Sequence, residues 1–156
     1  MKGALEYAES VSARRPTVPD EPVTLVDVFN RVARKHKRSD TLNYKSGGQW
    51  TSISSDEMLA RTKHIAAGLH AIGANRGDRV AILSESRVEW TLTDAGSIFA
   101  GTVDVPIYPT LTPPQVRYIL NDSGACILFL ANRQKYDEIR DALGECPEVK
   151  HVVFFD

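Results

Sequence analysis

The chain has 156 residues, 42% of them hydrophobic and 25% charged, enough to bury one sizeable core within the ordinary size of a single domain. Nineteen Lys and Arg stand against twenty Asp and Glu, a formal net charge of -1, so there is no long-range field to gather a polyanion, and nucleic-acid binding is excluded as a reading. No apolar run approaches the ~20 residues that span a bilayer, and the first 24 residues carry charges and prolines where a signal peptide needs an apolar core. The chain therefore reads as cytoplasmic, and Cys126 and Cys146, neither a CxxC pair nor a secreted disulfide framework, read as reduced thiols.

Residues 1–23, with Arg14, Arg15, Pro16, Pro19 and Pro22, have no sustained apolar period and read as an extended or disordered leader ahead of one unit over residues 24–156. Thr24 then precedes Leu25, Val28, Phe29, Val32 and Ala33, a single apolar stripe on a threonine-capped helix that ends near His36. The runs at 41–45 and 49–53, joined by Ser46, Gly47 and Gly48, predict a β-hairpin. Ser54 and Glu57 stand at capping-box spacing ahead of Met58, Leu59, Thr62, Ile65, Ala66, Leu69 and Ile72, with Gly73 placed to stop this longer helix.

From residue 79 strands and helices alternate. The strand expected at 79–83, with its apolar stretch Val80-Ala81-Ile82-Leu83, suits burial on both faces. Ser86, with Glu89 three residues on, predicts the cap of a helix whose inward stripe is Val88, Leu92, Ala95 and Phe99. A strand at 103–107 follows, then a helix opened by Thr112 and Pro113 through Val116, Ile119 and Leu120, ending before Gly124. Residues 126–130 form the next strand, Tyr136, Ile139 and Leu143 mark a helix, and 152–155 close the series. Four strands separated by single helices predict an α/β fold with a parallel sheet and helices on both faces, because a parallel neighbour cannot be reached by a tight turn.

Such a sheet invites a nucleotide-binding reading, yet neither GxGxxG nor GxxxxGK followed by Ser or Thr occurs. In the turn after Leu83, Glu85 opposes phosphate while Ser84 and Ser86 suit helix capping. The run Gly77-Asp78-Arg79-Val80-Ala81-Ile82-Leu83-Ser84-Glu85-Ser86 with Glu89-Trp90, the run Ala100-Gly101-Thr102-Val103-Asp104-Val105-Pro106-Ile107-Tyr108-Pro109-Thr110, and Trp50-Thr51-Ser52-Ile53-Ser54 resemble the early conserved segments of the AMP-forming acyl-CoA synthetases. The resemblance runs over residues 24–156, and the second run is most like the long-chain fatty acid members.

That resemblance implies a parent enzyme in which a fatty acid carboxylate attacks the α-phosphate of ATP, giving acyl-adenylate and pyrophosphate, and CoA thiolate then displaces AMP. ATP, Mg2+ and CoA are the implied cofactors. The family's Ser/Thr/Gly-rich Pro-Lys-Gly loop, magnesium Glu, ribose Asp and mobile Lys have no counterpart in this sequence, so no catalytic, cofactor-binding or metal residue is carried to any position. On this reading the chain is an amino-terminal part of the large domain, inactive alone and binding no cofactor tightly. The competing readings are a stand-alone flavodoxin-like module for a small molecule or nucleotide, and an interaction domain.

Other polar residues have structural readings beside functional ones. His36, His64, His70 and His151 make no metal-ligand cluster, since a spacing of six puts His64 and His70 on different helix faces. Arg31, Arg34, Lys35, Lys37 and Arg38 form a basic helix end that complements the helix dipole or meets anionic lipid, a peripheral membrane contact. Asp104 and Glu85 read first as paired or capping carboxylates and second as cleft residues, and Trp90 as a core anchor. Cys126, inside an apolar run, is expected buried and Cys146, before Pro147, more accessible. The apolar run at 152–155 is expected to leave faces and a strand edge uncovered, so that the chain self-associates.

Overall fold

The computed structural model describes residues 21–156, so the expected leader falls almost wholly outside the described residues. Five helices and six strands follow in the predicted order: α1 (Leu25–Lys35), β1 (Leu42–Ser46), β2 (Gln49–Ile53), α2 (Ser55–Ala71), β3 (Arg79–Leu83), α3 (Val88–Ala100), β4 (Val103–Ile107), α4 (Pro113–Ser123), β5 (Ile127–Leu130), α5 (Arg133–Leu143) and β6 (His151–Phe154).

Local chemistry sets most of these boundaries. At α1 the Asp27 amide donates to Thr24 Oγ1 at 3.1 Å and the Thr24 amide donates to Asp27 Oδ2 at 2.9 Å, a reciprocal cap built with Asp. Gly47 and Gly48, at φ 57° and 81°, make the two-residue turn, and Ser46 pairs with Gln49 inside the ladder instead of belonging to the loop. At α2 the cap is half of the expected box: Ser54 Oγ accepts from the Glu57 amide, while the Glu57 carboxylate takes Arg61.

At α3 the expectation fails. Its cap is Arg87, extended and without a side-chain cap, one residue beyond Ser86, and Glu89 is held by Arg87 Nε at 2.7 Å. Ser84 is buried and donates to the carbonyl of Glu85, so neither serine caps the helix. Thr112 and Gln115 do form a capping box with Pro113 at the first helical position, and Asn132 caps α5.

The sheet has the order β4-β3-β5-β6, all parallel. Its strands alternate across two cores. Val80, Ile82, Ile127 and Phe129 face α2 and α3 through Ala66, Leu69 and Ala100. Ala81, Leu83, Leu128 and Leu130 face α4 and α5 through Val116, Leu120 and Ile139. Each fully buried aliphatic chain contributes roughly 1.5 to 3 kcal/mol of transfer free energy, and β3 and β5, buried on both sides, hold most of them. The hairpin forms a third, smaller core in which Ile53 packs with Val88 and Leu92.

Three packing expectations are corrected. On the α1 stripe only Ala33 is buried; Phe29 meets the Phe99 ring edge-on at 5.8 Å, and Leu25, Val28 and Val32 stay 60%, 40% and 48% exposed. The cysteines exchange roles: Cys126 precedes β5 and is half-buried, whereas Cys146 tucks beneath α4 and α5 at 4% exposure. His151 of β6 is exposed and the side chains after it are half-buried, with Phe154 on one core and Val153 and Phe155 on the other, so the backbone edge of that strand is what stands without a sheet neighbour.

Candidate functional site

The carboxyl ends of the strands are where open α/β sheets keep their ligand crevices. Here β3 runs into Ser84, Glu85 and Ser86, and β4 into Tyr108, Pro109 and Thr110. Between them lies a cleft of ≈ 560 Å³ walled by these turns and by Trp90. Pro106 and Ile107 form its floor, and Tyr108, 77% exposed, its outer wall. On the far side of β3 the chain reverses direction across the sheet, since α3 lies on one face and α4 on the other. There the Ala131 amide donates to the Leu83 carbonyl at 3.2 Å. Numbered from β3, the strand order is 2-1-3-4, the flavodoxin-type order with its switch point between β3 and β5.

The chemistry of the turns decides what this end of the sheet can hold. No glycine lies between Leu83 and Val88, Ser84 is spent on its own chain, and Glu85 and Glu89 put negative charge at the α3 entrance. Arg87, the one cation in the turn, is committed: Nε to Glu89 at 2.7 Å, Nη1 and Nη2 to Asp156 at 2.9 and 2.7 Å, and the guanidinium 5.6 Å from the Phe155 ring. These residues do not fit a nucleotide triphosphate with its metal, and no chemical step follows from them. What the cleft supplies is an aromatic and proline-lined wall with a carboxylate at its rim.

The other candidates are scattered. Asp104 sits at the amino end of β4, beside Val80, away from the cleft. It is neither paired nor capping, which corrects its first reading: its Oδ1 is buried without a hydrogen-bond partner, and burial followed by the charge of Asp94 pushes its pKa up to about 6. Trp90 is half-buried against the α2–α3 core and shows its remaining surface to the cleft, so it serves as anchor and wall together. His36, His64, His70 and His151 are exposed and apart, with His70 Nδ1 3.1 Å from the Ala74 carbonyl. Among the described residues no three His, Cys, Asp or Glu side chains gather as a metal site. Sequence reasoning passed over Arg87 as a hub and Tyr108 as a cleft wall. Only the extra length of chain between Ile107 and Thr112 signals the second, and nothing local signals the first.

A parallel sheet doubly covered by helices, preceded by a helix and a hairpin, is the architecture that the resemblance to the adenylate-forming enzymes leads one to expect. The match confirms it: residues 29–156 fit the family described as AMP-binding enzyme, and the chain belongs to that family. It is similar to a long-chain-fatty-acid–CoA ligase of Mycobacterium bovis, 35% identical over 106 residues, which are 68% of this chain and 18% of that protein. Among solved structures, a fatty acyl CoA synthetase of Mycobacterium tuberculosis superposes with a TM-score of 0.62 at 30% identity, over 67% of this chain and 21% of the other. A long-chain-fatty-acid-CoA ligase of Archaeoglobus fulgidus shares the fold, with a TM-score of 0.74 at 22% identity, over 89% of this chain and 28% of the other. The chain thus spans less than a fifth of the curated relative. No helix among the described residues is long and apolar enough to cross a membrane.

Proposed function

We propose that this chain is the amino-terminal part of a long-chain fatty acid CoA ligase, a cytoplasmic enzyme converting ATP, fatty acid and CoA to acyl-CoA, AMP and pyrophosphate with Mg2+. The observation that carries the reading is the 35% identity to a long-chain-fatty-acid–CoA ligase. Within such a ligase residues 24–156 act as scaffold. Strands β3 and β5, buried on both faces, hold the carboxyl-end turns rigidly, and the cleft beside Trp90 and Tyr108 offers an apolar wall. No residue of the chain is assigned a catalytic, cofactor-binding or metal role, because the motifs that carry those roles in the family's pattern have no counterpart among its residues.

Two measurements test this. The chain alone gives no fatty-acid-dependent ATP/pyrophosphate exchange; exchange above a no-enzyme control would overturn the scaffold assignment. The coding sequence past codon 156 reads into a Ser/Thr/Gly-rich Pro-Lys-Gly segment; an in-frame stop there would overturn the ligase reading. The unpaired backbone edge of β6, free of proline and lysine from His151 to Phe154, also supports self-association of the isolated chain. A monomer by sedimentation across micromolar concentrations overturns that.

One observation favours a second reading, a flavodoxin-like binding module: the 2-1-3-4 strand order. A change in tryptophan fluorescence on adding flavin or adenine nucleotides to the chain alone would support it over the scaffold role.

A further inference from the structure

The groove between α1 and α2 is apolar and open. Val28, Phe29 and Val32 wall it on α1, Met58 and Leu59 on α2, and its volume is ≈ 200 Å³. Val28 and Val32 stay 40% and 48% exposed, so no described residue covers this part of the α1 stripe. Charge on the α2 rim is lopsided. Asp56, three residues before Leu59, is held by Lys37 at 3.0 Å, whereas Lys63, four after Leu59 and exposed, pairs with no acid among the described residues. Residues 1–20 precede the described chain, which is fastened to the start of the same helix: the Val23 and Thr24 amides both donate to Asp27 Oδ2. Within residues 3–13 of that preceding segment the large apolar side chains are Leu5, Tyr7 and Val11, and the charged ones are Glu6 and Glu9.

We infer that this groove is the seat of the chain's own residues 5–9, with Leu5 and Tyr7 against Val28, Val32 and Leu59 and the acids of the run toward Lys63. In an extended run side chains two apart fall on one side, so Leu5 and Tyr7 enter together. The segment reaches easily: the chain from Tyr7 to Glu21 spans up to ~45 Å when extended, and α1, with 11 residues, is only ~16 Å long. Tethering decides between this occupant and a foreign one. A groove that takes one or two side chains does not offset the translational freedom a separate partner loses, and it is far short of the ~800 Å² per side of a stable interface. A segment already joined to α1 is held at an effective concentration of order millimolar, so a shallow seat is enough. Charge agrees, since the run brings two acids and no base to the rim where Lys63 stands.

The test is disulfide trapping in the full chain, with Cys126→Ser removing the half-open native thiol. Tyr7→Cys with Leu59→Cys is expected to close within one chain on mild oxidation, at least ~10-fold faster than Tyr7→Cys with Tyr118→Cys. Tyr118 is the control because it is exposed on α4, across the sheet from the groove. Adding Val28→Ser and Val32→Ser changes exposed groups, keeps the fold by circular dichroism, and brings the Leu59 rate down toward the control. Lys63→Glu slows trapping at low salt, and the difference disappears at high salt. Equal rates at the two positions, or a Leu59 rate indifferent to the valine changes, would each overturn the inference. A disulfide that forms between chains, growing with protein concentration, would assign the groove to a second copy and overturn it as well. None of these readouts involves ligase activity, so they stand or fall apart from the parent reaction.

Discussion

Arg87 reaches Asp156 with both terminal nitrogens, at 2.9 and 2.7 Å, joining the turn after β3 to the end of β6 across 69 residues. The fork geometry makes this the most directional contact at the carboxyl end of the sheet, and the Phe155 ring beneath the guanidinium adds to it. Because the pair is partly solvated, Arg87→Ala is expected to cost only about 1 kcal/mol in urea unfolding, and Arg87→Lys to restore part of that, since an ammonium cannot make the fork. The Arg87 bond holds the Asp156 carboxyl below its usual 3.8. A depressed carboxylate contributes stability above its unfolded value and loses it as pH falls through the folded one, so the gap between wild type and Arg87→Ala should narrow in acid below about pH 4, leaving the part that the Phe155 ring supplies. A gap of unchanged size at low pH would remove Asp156 from the account.

Gly96 lies where α3 crosses α2. A Cβ built there meets Ile65 Cβ at 2.7 Å and Ile65 Cγ2 closer still. On helix propensity alone Gly96→Ala should stabilise by about 1 kcal/mol. The close approach reverses that sign, and a net loss of about 1 to 3 kcal/mol is expected. Ile65→Ala in the same chain should recover much of the loss, giving a coupling energy well above the ~0.5 kcal/mol seen for independent sites. Simple additivity would show that the helices separate freely.

The same contrast between local and tertiary signals separates what was legible in the sequence from what was not. Periodicity, caps and turn glycines are local, and they place the elements to within a residue or two: Thr24, Thr112 and the Gly47-Gly48 turn all act as read. The cap of α3 was missed because Ser86 and Glu89 have the right spacing, while the structure spends Glu89 on Arg87, whose main partner lies at the other end of the chain. Exposure along α1 was misread for a related reason. A helical stripe shows which side chains share a face, and the neighbours that cover that face come from elsewhere in the fold. The cleft was legible only as a location, the carboxyl ends of the strands, and the crossing at Gly96 left no mark in the pattern.

The cysteines give a direct test of the corrected packing. Cys146 sits in the core with Leu143 and Val149, its Sγ donating to the Ala142 carbonyl at 3.4 Å, while Cys126 lies half-open before β5. Burial raises both thiol pKa values, so both react slowly at neutral pH and access orders them. Thiol labelling of the native chain should modify Cys126 at least ~10-fold faster than Cys146. Equal rates, or the reverse order, would put residue 146 back at the surface.

Asp104 bears on stability with the opposite sign to Asp156. Its Oδ1 is buried on β4 without a partner, and burial, then the nearby Asp94 charge, raise its pKa from 3.8 to about 6. The folded chain therefore holds the proton more tightly than the unfolded chain does, so stability falls as pH rises from about 4 to about 6 and stays lower above that. Two pKa units set an upper bound of about 3 kcal/mol, and partial solvent access reduces this to on the order of 1 kcal/mol. Asp104→Asn keeps the shape and removes the charge, and with it the repulsion from Asp94. The variant is expected to be more stable than wild type at pH 7 and indistinguishable from it near pH 4. Chemical unfolding at the two pH values reads this directly. A variant less stable than wild type at pH 7 would mean that the ionised Asp104 has a cationic partner in solution, and the unsatisfied Oδ1 would have to be abandoned.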